Sequence, residues 1–140
     1  MAGEKAKMKL LTVQEANALL PQVRLSLRSL RGLKSIILRG QAQIEIEEMT
    51  GSNDQGQLDF PAQAAINHQM ETLQAKTLEF EREFEKLFAM GVQLKDLDSG
   101  LVDFYSRRGT EIVFLCWKEG ESEITHWHSL EGGFRNRESL

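Results

Sequence analysis

Two runs of apolar residues at helical spacing, separated by one polar loop, constrain the fold of this chain most. In each run the apolar side chains recur every three or four residues and therefore share one face of a helix. The loop between them, residues 50–59, reads TGSNDQGQLD and is rich in turn formers. Two seams joined in this way predict a long antiparallel helical hairpin over residues 12–91. The seams consist of Leu20, Val23, Leu27, Leu30 and Ile37, then Ile66, Met70, Leu73, Phe80, Phe84 and Phe88.

Capping and breaking residues set the expected ends of the first helix. Thr12 and Glu15 have the spacing of a capping box, in which each side chain bonds the other residue's backbone N–H. Pro21 suits the first turn of a helix but breaks a helix interior. We therefore expect a short helix over residues 13–19, a bend, and a long helix that ends near Glu48.

The last third of the chain is β-type, because β-branched and aromatic residues replace the helical pattern. The predicted fold class is α+β, with the hairpin packed with a small three-stranded antiparallel β-meander. Residues 92–94 are a candidate edge strand. The three predicted strands lie in residues 101–105, 111–117 and 123–128.

Length and charge place the chain among small globular proteins. It has 140 residues, a net charge of −4 and one cysteine, with no apolar run of the roughly 18 residues that a membrane span needs. We expect a disordered N-terminal arm, residues 1–9, before a single domain, residues 10–140, whose meander and tail occupy residues 92–140. A lone cysteine and the lack of an export signal favour a cytoplasmic location.

A basic stripe flanks the first seam. Arg24, Arg28 and Arg31 stand at i, i+4 and i+7, with no acidic residue between Pro21 and Gly40. We interpret them as partners of the second helix's acidic flank, which includes Glu81 and Glu85. Phosphates of a nucleic acid are the alternative partner, and the net negative charge argues against it. Long seams of this kind also favour a homodimer built as a four-helix bundle.

Two histidines close the last predicted strand. His126 and His128 are at i and i+2, so they point to the same face of a sheet. Together they are candidate ligands of a divalent metal ion if Asp103, Glu121 or Glu123 supplies a third ligand. A histidine pair is common by chance, and the simpler interpretation is a polar sheet face.

The residues opposite the histidines depend on the turn before them. A two-residue loop at Glu119-Gly120 places His126 opposite Val113, whereas a bulge at Gly120 places it opposite Phe114. Only the second register puts Cys116 on the histidine face. Cys116 itself lies in an apolar strand, where we expect a small buried hydrophobic residue rather than a catalytic thiol.

Asp103 interrupts an apolar strand, so its carboxylate must be exposed or paired. The favoured interpretation is a structural ion pair with Arg107, Arg108 or Arg137. The alternative is a candidate polar site of Asp103, His128 and Arg137, in which the aspartate orients the imidazole and Arg137 holds an anion.

Several unusual segments give the chain a resemblance to a bacterial family, the domain of unknown function 2203. The resemblance implies a bacterial cytoplasmic protein but no reaction, because the family has no established activity. The family pattern often has proline at the position of Tyr105 and varies at His126. This favours His128 over His126 as the histidine that carries any role common to the family. The matching segments are residues 12–21 (TVQEANALLP), 91–97 (GVQLKDL), 100–104 (GLVDF) and 115–118 (LCWK), Trp127-His128, Gly133-Phe134 and Arg137.

The strongest patterns are structural, since they are seams, caps and turns. They favour a non-enzymatic interaction or scaffold protein that self-associates through its hairpin. The alternative is a metal-dependent or acid–base enzyme with its site on the β-meander, using His128 and Asp103. No motif specifies a reaction, so the sequence leaves open whether the chain is an enzyme.

Overall fold

The computed structural model describes residues 9–140, which form two long helices and one antiparallel sheet, an α+β fold. The predicted disordered arm, residues 1–9, lies outside the described residues apart from Lys9. Neither helix in this part of the chain has the length and apolar character to cross a membrane. The elements are α1 (Val13–Thr50), α2 (Phe60–Ala89), β1 (Val92–Asp96), β2 (Leu101–Arg108), β3 (Glu111–Lys118), β4 (His126–His128) and β5 (Glu138–Ser139), with a short 3₁₀ helix at Phe134–Asn136.

The first helix, α1, is one 38-residue element that continues through Pro21. The prediction of a separate short helix over residues 13–19 was therefore wrong. Pro21 costs the carbonyl of Asn17 its helical hydrogen bond, but the proline itself is exposed, and buried seam residues on both sides stabilise the helix. The predicted capping box is confirmed: Thr12 N donates to Glu15 Oε1 at 2.9 Å, and Glu15 N donates to Thr12 Oγ1 at 3.1 Å.

The sheet has five strands in the order β1-β2-β3-β4-β5, so the prediction of three strands was wrong. The candidate edge strand at residues 92–94 is part of β1, where Val92 pairs with Phe104. The other edge, β5, was missed, and its Glu138 pairs with Trp127. A two-residue edge strand carries too short a pattern to stand out in a sequence.

The register between β3 and β4 decides which side chains meet. Cys116 lies opposite His126, and Phe114 lies opposite His128. Both predicted registers were wrong, because the loop between β3 and β4 is longer than the tight turns they assumed. The alternation of side chains along a strand still places Cys116 and both histidines on one face of the sheet.

The fold divides into two compact units, and the first comprises residues 9–29 and Glu83–Leu140. In this unit the centre of one sheet face is buried and includes Phe104 and Trp117. The Arg24 guanidinium lies 5.4 Å from the centroid of the Trp117 ring, and Ile124 N donates to Asn17 Oδ1 at 2.7 Å. The first turns of α1 therefore contact the loop after β3 and the strand beside it.

This contact also changes the interpretation of the basic stripe. Arg24 Nη2 lies 3.5 Å from the carbonyl oxygen of Glu121 and 3.4 Å from that of Ser122. Its predicted pairing with the acidic flank of α2 was wrong, because its side chain turns toward the sheet. One polar contact between the helices in this unit comes from Ser26, whose Oγ donates to Glu83 Oε2 at 2.8 Å.

The second unit, Leu30–Arg82, contains the distal parts of both helices and their loop. A Cβ at Gly40 would lie 3.3 Å from Leu73 Cδ1, and one at Gly51 would lie 2.3 Å from the Ala62 Cβ. These close approaches show that α1 and α2 run antiparallel here. Within this unit the buried apolar side chains are few: Leu30, Ala62 and Ile66.

Candidate functional site

A buried polar cluster lies on the sheet face opposite Trp117. Asp103 of β2 and Cys116 of β3 are directly paired across the two strands. His128 of β4 pairs with Phe114, two residues from Cys116, so it points to the same face. One candidate ligand atom from each of the three residues lies within 4.8 Å of the others. Asp103 and His128 are each 2% exposed and Cys116 is 0% exposed.

Asp103 and His128 form a hydrogen-bonded pair, with His128 Nε2 3.0 Å from Asp103 Oδ2. On the other side of the ring, Nδ1 lies 2.7 Å from the Ser129 carbonyl oxygen and 3.2 Å from Gly133 N. The Ser129 carbonyl oxygen can only accept from Nδ1, whereas the Gly133 N–H donates to Nδ1, so these two contacts correspond to different tautomers of the ring. In either tautomer the Nε2–Oδ2 hydrogen bond holds one proton between these two atoms, and the imidazole has polar contacts on both sides.

The other carboxylate oxygen of this pair, Asp103 Oδ1, is buried without a hydrogen-bond partner among residues 9–140. The neighbouring Cys116 thiol makes no hydrogen bond of standard geometry with it. Burial raises the pKa of Asp103, against the opposing effects of His128 and Lys95. An unsatisfied buried polar atom costs roughly 1–3 kcal/mol, so this oxygen is a position where a ligand would be favoured.

Cys116 is buried, as the sequence predicted. Burial and the negative charge of Asp103 raise the pKa of its thiol to about 11. A thiol with this pKa is protonated at neutral pH and is a poor nucleophile. The cluster as it stands therefore lacks the activated thiolate of a cysteine enzyme, although a bound cation would displace the thiol proton.

Arg137, the third residue of the predicted polar site, does not join Asp103 and His128. Its guanidinium donates to both carboxylate oxygens of Glu121, at 2.8 and 3.2 Å, and lies 4.3 Å from the Phe134 ring centroid. It is also close enough to Cys116 to interact with the thiol. The structure thus brings Asp103 and His128 together and directs Arg137 to an ion pair at the edge of the cluster.

The ion pairs predicted for Asp103 with an arginine are absent from the described residues, because its carboxylate meets His128 instead. The guanidinium of Arg108 lies over the Trp127 ring, 4.6 Å from its centroid. The buried carboxylate of Asp103 therefore has His128 of β4 as its partner, and not an arginine of its own strand.

The predicted metal ligands were His126 and His128, but the candidate ligands that lie close together are Asp103, Cys116 and His128. His126 Nδ1 lies 2.8 Å from Thr125 Oγ1, and the ring is half-buried outside the three-residue cluster. The residue that takes its place is Cys116. Only the bulged register, which put Cys116 on the histidine face, could have indicated this from sequence.

We expect the Arg137–Glu121 ion pair to stabilise the C-terminal segment in a pH-dependent way. Burial raises the pKa of Glu121, but hydrogen bonds from Arg137 and the Lys118 N–H outweigh it, and the net pKa is below the ordinary 4.5. A lowered carboxyl pKa contributes stability that is present above pH 4.5 and is lost as the pH falls through the folded-state value. Arg137→Gln should therefore lower the free energy of unfolding by about 1 kcal/mol near pH 7.

Urea unfolding near neutral pH and at about pH 3 measures this difference. The matched control is Arg135→Gln, which removes an exposed guanidinium two residues away. We expect the cost of Arg137→Gln to shrink toward that of the control in acid. An equal cost at both pH values would show that the ion pair contributes nothing specific.

Comparisons with known proteins are consistent with the resemblance seen in the sequence. No curated protein and no solved structure shows significant similarity to the chain. The profile of the family described as Uncharacterized conserved protein (DUF2203) matches residues 9–140, nearly the whole chain. The predicted family is thereby confirmed, and the chain that carries this five-stranded sheet and its buried Asp103–Cys116–His128 cluster belongs to the DUF2203 family.

Proposed function

We propose that this chain is a non-enzymatic interaction protein that self-associates through its helical hairpin, with a second copy of the chain as its partner. The observation that supports this function is a self-complementary row of side chains on the outer surface of α1. The spacing along the row alternates between three and four residues, as in a coiled-coil seam. This row, called the α1 stripe below, consists of Arg31, Lys34, Leu38, Gln41, Glu45 and Glu48.

The α1 stripe lies apart from the face that α1 turns toward α2 in the distal unit. At 3.6 residues per turn, its centre is roughly 100° around the helix from Ile37, Gly40 and Ile44, and the Gly40 position contacts Leu73 of α2. The four positions from Leu38 to Glu48 are exposed. A helix in a four-helix bundle uses two neighbouring faces in this way, one for each adjacent helix.

Charge complementarity supports a second copy of the chain as the occupant of this second face. The stripe begins with two basic residues, Arg31 and Lys34, and ends with two acidic ones, Glu45 and Glu48. When two α1 helices pack antiparallel with Leu38 near the twofold axis, each basic end lies opposite the acidic end of the partner subunit. The same pairs then form twice, as an isologous interface requires. A parallel arrangement would instead place like charges together.

The distal unit also exposes more large apolar side chains than it buries. Two helices alone can cover only the faces that they turn toward each other, and most helical stability in proteins comes from packing such faces. A second hairpin would cover additional apolar surface and raise the stability of this unit. The exposed large apolar residues of the unit are Ile36, Leu38, Ile46, Met49, Phe60, Met70 and Leu78.

A charge-swap experiment tests this function. Sedimentation equilibrium over a wide concentration range should show a monomer–dimer equilibrium. Lys34→Glu and Glu45→Lys should each raise the dimer dissociation constant about tenfold, because each change creates two like-charge contacts. The double variant Lys34→Glu/Glu45→Lys should restore dimerisation, since it exchanges the charges and keeps the pairs.

The matched control is Asp54→Lys, a charge reversal at an exposed loop position outside the α1 stripe. It should leave the dissociation constant unchanged. A monomer at all concentrations would overturn the proposal. Failure of the double variant to recover affinity, with both single variants folded by circular dichroism, would rule out the antiparallel α1 arrangement.

A further inference from the structure

We propose that Asp103, Cys116 and His128 form a binding site for a divalent cation that accepts sulfur ligands, of which Zn²⁺ is the best match. The ligand atoms are one carboxylate oxygen, the thiolate sulfur and the imidazole Nε2. This site is separate from the hairpin surface proposed for self-association and does not depend on it.

The donor set and its spacing fit such an ion. Carboxylate, thiolate and imidazole are the side-chain groups that bind Zn²⁺ in proteins. Tetrahedral bonds of about 2.0–2.3 Å separate neighbouring ligand atoms by roughly 3.3–3.7 Å. In the structure the three ligand atoms lie within 4.8 Å of one another, and His128 Nε2 is 3.0 Å from Asp103 Oδ2. The distance between His128 Nε2 and Asp103 Oδ2 needs to increase by only a few tenths of an ångström to reach the spacing of two ligands on a tetrahedral ion.

The unpartnered Asp103 Oδ1 is an independent indication of a ligand at this position. Asp103 is 2% exposed, and Oδ1 accepts no hydrogen bond from the described residues. Buried polar atoms in folded proteins nearly always have a partner, and a bound ion is one of the groups that can satisfy an oxygen left without one. The negative charge of the carboxylate is spread over both of its oxygens, so a cation bound to either oxygen compensates the charge on Oδ1.

The charges at the cluster balance on binding. The thiol proton of Cys116 and the proton held between His128 Nε2 and Asp103 Oδ2 leave to solvent, so a thiolate and a carboxylate neutralise the divalent ion. The neighbouring guanidinium of Arg137 is already paired with Glu121. The site therefore reaches neutrality without an additional anion.

The surroundings of His128 also match those of a metal ligand. A metal-bound histidine usually donates its other ring N–H to a carbonyl or carboxylate, which fixes the orientation of the ring. His128 Nδ1 lies 2.7 Å from the Ser129 carbonyl oxygen, with the Nε2 atom directed at the cluster. Three protein ligands leave the fourth position of a tetrahedral ion to water.

Cobalt titration of the full chain, made metal-free with a chelator, tests the site. Co²⁺ bound by a thiolate gives an intense charge-transfer absorption that a site without sulfur lacks. We expect this band to saturate at one equivalent of Co²⁺ and to disappear when Zn²⁺ is added. Cys116→Ala should abolish the band and weaken Zn²⁺ binding about 100-fold or more, as measured by competition with a chromophoric chelator.

Two further variants test which side chains hold the ion. Asp103→Asn keeps the side-chain size and should weaken Zn²⁺ binding at least tenfold while the thiolate band survives at higher Co²⁺ concentration. His126→Ala is the matched control and should bind like the unaltered chain. It also distinguishes the cluster from the His126–His128 pair that the sequence suggested.

The proposal is overturned if the unaltered chain gives no thiolate band, or if folded Cys116→Ala binds Zn²⁺ as tightly as the unaltered chain. Loss of binding in His126→Ala would assign the ion to a different ligand set. Circular dichroism of each metal-free variant establishes that it is folded. A monomeric chain that binds Zn²⁺ would refute only the proposed self-association, whereas a dimeric chain that binds none would refute only this site.

Discussion

Trp117→Ala should lower the free energy of unfolding by about 3–5 kcal/mol, which is the usual cost of removing a large aromatic side chain from a packed core. Trp117 is 0% exposed and is among the largest fully buried side chains of the described residues. Its Nε1 donates to the Glu121 carbonyl oxygen at 3.0 Å, and Arg24 lies over its ring. The substitution thus removes packing and takes away the indole donor of a part-buried carbonyl, which keeps only the longer contact with Arg24.

Two tryptophan-to-phenylalanine variants separate these contributions in urea unfolding followed by circular dichroism. Trp117→Phe keeps most of the ring but loses the hydrogen bond to Glu121, and it should cost about 1–3 kcal/mol. Trp127→Phe is the control, because the Trp127 Nε1 is buried without a partner in the described part of the chain. Removing that donor should cost less than about 1 kcal/mol. Equal costs for the two variants would contradict the role assigned to the Glu121 contact.

The helical seams show how far periodicity predicts burial. Leu20, Val23 and Leu27 of the first seam are buried, because a 3.6-residue period identifies the side chains on one face of a helix. Met70 and Phe84 of the second seam are instead exposed. Periodicity identifies an apolar face but not the extent to which a partner covers it. That extent depends on the width and position of the neighbouring element, which no local pattern records.

The candidate site was predictable only in part, for a related reason. Asp103 stood out as a charge within an apolar strand, and His128 stood out through the family pattern. Cys116 could not be joined to them, because the alignment of β3 with β4 depends on the length of the loop between the strands. The ion pair of Arg137 with Glu121 was not predicted, since Glu121 is in that same loop. The prediction of the site was limited by the unknown alignment between strands, and not by the identity of its residues.

His128→Leu should destabilise the metal-free protein by about 3–5 kcal/mol, because it leaves the Asp103 carboxyl group buried without its partner. His128 Nε2 and Asp103 Oδ2 are 3.0 Å apart, and both side chains are almost inaccessible to solvent. Asp103→Leu removes the carboxylate and should cost about 1–3 kcal/mol, since the imidazole keeps its contact with Ser129. Urea unfolding with a chelator present measures both changes without a contribution from metal.

The double variant Asp103→Leu/His128→Leu tests whether the pair acts as a unit. Replacing both members of a buried polar pair by apolar residues removes the unsatisfied group, so the double variant should cost less than the sum of the single ones by about 2 kcal/mol or more. His126→Leu is the control on the same strand, where a half-buried ring outside the cluster should cost less than about 1 kcal/mol. Additive single-variant costs would mean that the 3.0 Å contact contributes no coupling. The cluster would then owe its burial to the packing of the sheet face rather than to the Asp103–His128 hydrogen bond.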